Sequence, residues 1–196
     1  MSFNCIAVRL GFDPLIIVGC SDGSVLKTSV SSFEKYTLIE HLDVSSISAL
    51  SFLTQDLIVI GGFELQIRNV NDWTRLNENS MKSSFIKSIA VLDENSFISC
   101  GDELALWNVQ RLDRPEFVFN FKSCISVYPC SSSIFAASTS YGTAILFSSV
   151  TRDVLWESND CVNFGKMPFN SIDFGRDWLL GGTDGDRLVF YKMQGL

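Results

Sequence analysis

Phe97-Ile98-Ser99-Cys100-Gly101-Asp102-Glu103-Leu104-Ala105-Leu106-Trp107 reads as an apolar run, a glycine-containing turn and a second apolar run. The figure recurs along the chain. Its second runs are Ser24 to Thr28, Glu64 to Arg68, Glu103 to Trp107, Thr143 to Phe147 and Asp186 to Phe190, and their last residues lie 40, 39, 40 and 43 positions apart. A fixed period in this range marks a repeat architecture, in which a unit too small to bury its own faces stacks on copies of itself.

Each unit reads as strand, turn, strand, turn, strand, usually with a weaker fourth strand. The runs are short, β-rich and bounded by Gly, Asp, Asn and Ser. In unit 2, for example, they are Ile47 to Phe52, Leu57 to Ile60, Leu65 to Val70 and Trp73 to Leu76. The second run of each unit, such as Leu15 to Val18, is the most uniformly apolar, as a strand covered on both faces requires. The fourth is the most polar, as an outer edge strand should be. No stretch keeps the i, i+3, i+4, i+7 spacing of a helix. The expected fold is all-β: a β-propeller of about five blades of four-stranded antiparallel sheets, its ring incomplete or open. The expected organisation is one domain over residues 1–196, with repeats near 1–40, 41–80, 81–121, 122–158 and 159–196. The chain opens on an innermost-type strand and closes after three strands, so neither end supplies a spare strand to zip a ring. An open edge offers unpaired backbone groups to an added strand.

Composition narrows the function. Hydrophobic residues make up 46% and charged residues 19% of the 196, a folded rather than a disordered composition. A net charge of −7, with fifteen scattered Lys and Arg, argues against nucleic acid as a partner. No segment approaches the roughly 18 to 20 apolar residues of a membrane span. The N-terminus lacks the cationic start and long apolar stretch of a signal peptide, so an intracellular chain with reduced thiols is expected. Among the six cysteines, Cys20 and Cys100 close apolar strands, while Cys124 and Cys130 are too far apart for a C-x-x-C pair. No metal is expected.

Residues for catalysis are sparse. The single histidine, His41, has no nucleophile motif to serve and reads as a turn residue. Asp184-Gly185-Asp186 reads as a β-turn rather than a cation loop. Gly181-Gly182-Thr183-Asp184-Gly185 lacks both the lysine and the following helix of a phosphate loop. No enzyme, cofactor or small-molecule substrate is expected. Trp178 starts a core strand and reads as packing. Trp73 and Trp156 fall in or beside outer strands, where tryptophan either packs between units or anchors a partner; they are the candidate partner-binding residues.

The pattern resembles the WD40 repeat family over essentially the whole chain. The marks are Ser21-Asp22-Gly23-Ser24 and Thr183-Asp184-Gly185 in the turn, Trp107-Asn108 at the Trp-Asp position, and His41, 27 residues before Arg68. Thr28, Arg68 and Phe147 stand at the tryptophan position elsewhere, and one histidine cannot supply a His–Ser–Trp–Asp network in every repeat. The resemblance implies a divergent propeller that works as a protein-interaction scaffold within a multisubunit complex. Ser83 to Leu92 leading to Leu104 to Asn108 and Pro115, together with Asn170 to Phe174 and Leu179 to Gly185, is similar to WD40 nucleoporins of the nuclear-pore outer-ring, Y-shaped complex. That resemblance implies a structural role in nuclear transport and a place at the nuclear envelope, with the cytoplasm as the other compartment. The alternative is a WD40 adaptor that recognises a peptide or a histone tail in a ubiquitin-ligase or chromatin complex.

Overall fold

The computed structural model describes residues 2–32, 35–42, 46–76, 81–82, 85–158, 169–175, 178–183 and 188–193. Their strands form five antiparallel sheets, each a meander in chain order. Sheet 1 holds β1 (Phe3–Arg9), β2 (Leu15–Cys20), β3 (Ser24–Ser29) and β4 (Thr37–His41). Sheet 2 holds β5 (Ile47–Phe52), β6 (Leu57–Gly62), β7 (Glu64–Asn69) and the short β8 (Met81–Lys82). Sheet 3 holds β9 (Ile86–Asp93), β10 (Ser96–Gly101), β11 (Glu103–Asn108) and β12 (Phe117–Lys122). Sheet 4 holds β13 (Cys124–Pro129), β14 (Ile134–Thr139), β15 (Ala144–Ser148) and β16 (Val154–Glu157), and sheet 5 holds β17 (Phe169–Gly175), β18 (Trp178–Thr183) and β19 (Leu188–Lys192).

The turns use the residues that local geometry demands. The Asp22 carboxylate accepts the Ser24 N–H at 3.1 Å, Asp93 the Asn95 N–H at 2.8 Å, and the Asn108 side chain the Gln110 N–H at 2.9 Å. Each is an Asx turn, which replaces a missing ladder bond with a side-chain bond. Gly23 and Gly142 take positive φ, 83° and 79°, in the corresponding turns of sheets 1 and 4.

Successive sheets pack face to face, and the first strand of each lies against the first and second strands of the sheet before it. Four apolar clusters fill the four spaces between consecutive sheets. Ile17, Val25, Ile47, Ile58 and Ile60 sit between sheets 1 and 2; Val59, Leu65, Ile67, Phe97 and Trp107 sit between sheets 2 and 3. Phe119, Phe135 and Phe147 meet between sheets 3 and 4 with ring centroids 5.2 to 5.4 Å apart. Leu146, Phe169, Leu179 and Val189 fill the space between sheets 4 and 5. Full burial of an aliphatic or aromatic side chain stabilises by about 1.5–3 kcal/mol, so these clusters are the main attractive term.

Close approach of the second strand of each of the first two sheets to the first strand of the next has a cause in residue size. A side chain at Gly19 would meet Ile47 Cγ2 at 2.5 Å, and one at Gly61 would meet Ile86 Cγ2 at 2.7 Å. Side chains also lace neighbouring first strands together. The Asn4 amide donates to the Ile47 carbonyl at 3.1 Å, the Ser48 hydroxyl donates to the Ile86 carbonyl, and the Val127 N–H donates to the Ser88 hydroxyl at 3.3 Å.

The segment Trp73 to Leu76, expected as the fourth strand of its unit, is instead a short return on to β7. Only Arg68 and Arg75 form a bridge there, and Trp73 takes φ 62°, outside strand geometry. The short β8 pairs with the other end of β7, at Glu64 and Leu65.

Candidate functional site

Side chains capable of chemistry are dispersed. His41 is exposed at the end of β4, opposite Ser24, with its ring Nδ1 3.3 Å from the Leu42 carbonyl. Burial pushes the Cys5 and Cys130 thiols up to about 12 and raises Cys100, which neighbours Cys124, well above the ordinary range. These are neutral packing thiols rather than thiolate nucleophiles. Among the described residues no three His, Cys, Asp or Glu side chains converge as metal ligands do. The Asp184-Gly185-Asp186 turn lies outside the described residues.

Both candidate tryptophans are half-buried and sit in the spaces between sheets. Trp73 packs on the cluster between sheets 1 and 2; the Arg68 guanidinium lies 6.0 Å from its ring centroid and donates to its carbonyl at 3.0 Å. Its indole N–H is buried without a hydrogen-bond partner. Trp156 packs on the cluster between sheets 4 and 5 and meets the Tyr191 ring edge-on, 5.3 Å between centroids.

Trp178, read from sequence as packing, stands instead on an exposed face. Alternation along β18 and β19 sends Leu179, Val189 and Tyr191 toward sheet 4. The opposite face of sheet 5 carries Trp178, Leu188, Phe190 and the half-buried Leu180, and Phe190 is 55% exposed. Sheet 1 shows the same asymmetry at the other end of the stack. Cys5, Ala7, Ile17 and Val25 face sheet 2. On the opposite face one rung runs Ile6, Val18, Leu26 and Leu38 across all four strands; its two outer members are exposed, Ile6 at 61%, Val18 is half-buried and Leu26 is buried. Sheets 2, 3 and 4 contribute both faces to the clusters described and sheets 1 and 5 one each, and among the described residues no cluster joins sheet 5 to sheet 1. Exposed apolar side chains grouped on one sheet face mark an interaction site. Sequence periodicity identifies the two faces as apolar but carries no sign of which lack a neighbour.

Compared with models of known families and with curated proteins, the chain matches none. Among the described residues no helix is long and apolar enough to cross a membrane.

Proposed function

We propose that this chain is a non-catalytic scaffold of the WD40-like propeller class, its sheets serving as blades and its two end faces docking partner proteins. The observation that carries the reading is the pair of apolar faces on sheets 1 and 5. Each continues the surface that meets a neighbouring sheet elsewhere in the stack. The occupant that fits is therefore a partner's apolar β-surface, laid on as one blade lies on the next. The bond from the buried Trp107 indole N–H to the Ser99 hydroxyl, 2.8 Å, supports the family reading in one blade. It joins a second-strand serine to a third-strand tryptophan, two members of the expected network. The similarity of residues 83–108 and 170–185 to outer-ring nucleoporins makes the nuclear-pore coat the first assembly to test.

The test is affinity purification of the tagged chain from its own cells, alongside Ile6→Glu and Phe190→Glu variants. Nuclear-pore coat subunits recovered in stable ratio, and lost from either variant, is the expected result. An unrelated stable complex with the same dependence keeps the scaffold and discards the nuclear pore. Binding that both substitutions leave intact removes the end faces from the argument. A chain recovered alone removes the scaffold.

A further inference from the structure

Around one pocket the charge of this acidic chain reverses. The pocket, about 620 Å³, opens where the loop between β11 and β12 meets the turn between β15 and β16, and it is lined by Asn108, Arg111, Arg114, Pro115, Glu116 and Arg152. Three guanidiniums against one carboxylate leave two positive charges, in a chain of net charge −7. Arg152 is already positioned. Its guanidinium donates to Glu116 Oε1 at 3.2 Å and lies 4.9 Å from the Phe117 ring centroid. Its backbone takes φ 67°, a conformation unfavourable for a side chain of this kind, and its N–H donates to the Ser148 carbonyl at 3.0 Å. Arg111 and Arg114 are exposed and carry no ion pair among the described residues. Two acids flank the site without lining it, Asp113 in the same loop and Asp153 next to Arg152.

We infer that this pocket binds the phosphorylated side chain of a serine or threonine in a partner polypeptide. Guanidinium presents planar paired donors that match phosphate oxygens, and clustered arginines are the recurring means of holding phosphorylated peptides. The two surplus positive charges match a phosphate monoester, which carries about −1.5 to −2 at neutral pH. The volume lies within the roughly 300–1,000 Å³ of ligand sites and leaves room for residues flanking the phosphate. A nucleic acid is disfavoured because a polyanion needs a track of cations, and the rest of this chain is acidic. The site is separate from the end faces and does not depend on their role.

The experiment measures fluorescence anisotropy of the full chain with three degenerate peptide pools, fixed at phosphoserine, serine or glutamate. Binding of the phosphoserine pool alone is expected. The double variant Arg111→Ala/Arg114→Ala should weaken it about tenfold or more, while Arg111→Lys/Arg114→Lys, which keeps the charge and loses the paired donors, should fall between. Thermal melts of both variants should match the parent, since the two side chains are exposed. Equal binding of the three pools, no binding of any, or phosphoserine binding indifferent to the arginines overturns the inference. Glutamate binding as tight as phosphoserine makes the ligand a carboxylate instead. Displacement by a single-stranded oligonucleotide with the same arginine dependence reassigns the pocket to nucleic acid. Phe190→Glu should leave phosphoserine binding unchanged, which separates this site from the end-face reading.

Discussion

Gly61 does its work by having no side chain. A Cβ there meets Ile86 Cγ2 at 2.7 Å and Ile89 Cδ1 at 2.9 Å, so Gly61→Ala overpacks the space between sheets 2 and 3. We expect a loss of about 1–3 kcal/mol in urea denaturation. Gly11→Ala, where a Cβ meets nothing within 4 Å, should stay within about 0.5 kcal/mol. Three exposed aspartates set a second expectation. Asp13 is held below the usual carboxylate range by the Ser31 hydroxyl and N–H, Asp22 by the Ser24 N–H, and Asp72 by the Thr74 N–H. The folded chain thus binds fewer protons at these sites than the unfolded chain. Their contribution is complete above the unfolded value of about 3.9 and disappears as pH falls through the lower folded values. Urea midpoints measured through that acid range should fall more steeply for the parent than for Asp22→Asn. Equal slopes would mean that the turn bonds do not persist in solution.

At the scale of elements, energy is concentrated in the spaces between sheets. Phe135 is fully buried and stacks nearly parallel to Phe147, 5.3 Å between centroids. Phe135→Ala should cost about 3–5 kcal/mol by denaturant unfolding. Phe190→Ala, on the exposed face of sheet 5, should change the isolated chain by no more than about 0.5 kcal/mol. Strand positions were largely legible in the sequence, because two-sided burial of the second strand and Asx or glycine turns both leave local marks. Trp73 to Leu76 misled because its apolar spacing suits a strand, whereas the φ of 62° at Trp73 turns the backbone away; a dihedral angle leaves no hydropathy signal. Trp178 misled for another reason. Its strand is apolar on both faces, and among the described residues a neighbouring sheet covers only one of them. The arginine pocket was illegible too, because Arg111 and Arg152 are distant in sequence and meet only through the adjacency of sheets 3 and 4.

For the whole molecule, a linear order of sheets that each contact their neighbours gives stability the character of a sum over neighbours. Among the described residues, the apolar clusters hold sheets 2, 3 and 4 from both sides and sheets 1 and 5 from one. Hydrogen exchange followed by mass spectrometry should therefore show β2 and β18 exchanging faster than β6, β10 and β14, although all five are second strands. Uniform protection across the five would indicate that the end faces are covered in solution. A bound partner should slow exchange in the end sheets first.

Gly19 and Gly61, on second strands, let the next sheet's first strand come close, and the space between sheets 3 and 4 is filled differently. Between sheets 3 and 4 the first and second strands contribute Ala90, Ile98, Cys100, Cys124, Val127 and Phe135, and the third and fourth add Phe117, Phe119, Phe121 and Phe147. Four phenylalanines of the third and fourth strands thus gather in this one space, and Phe135 reaches Phe119 and Phe147 from a second strand. Those rings tie sheets 3 and 4 to one another, so truncating them should loosen that pair together while the other three interfaces stay packed.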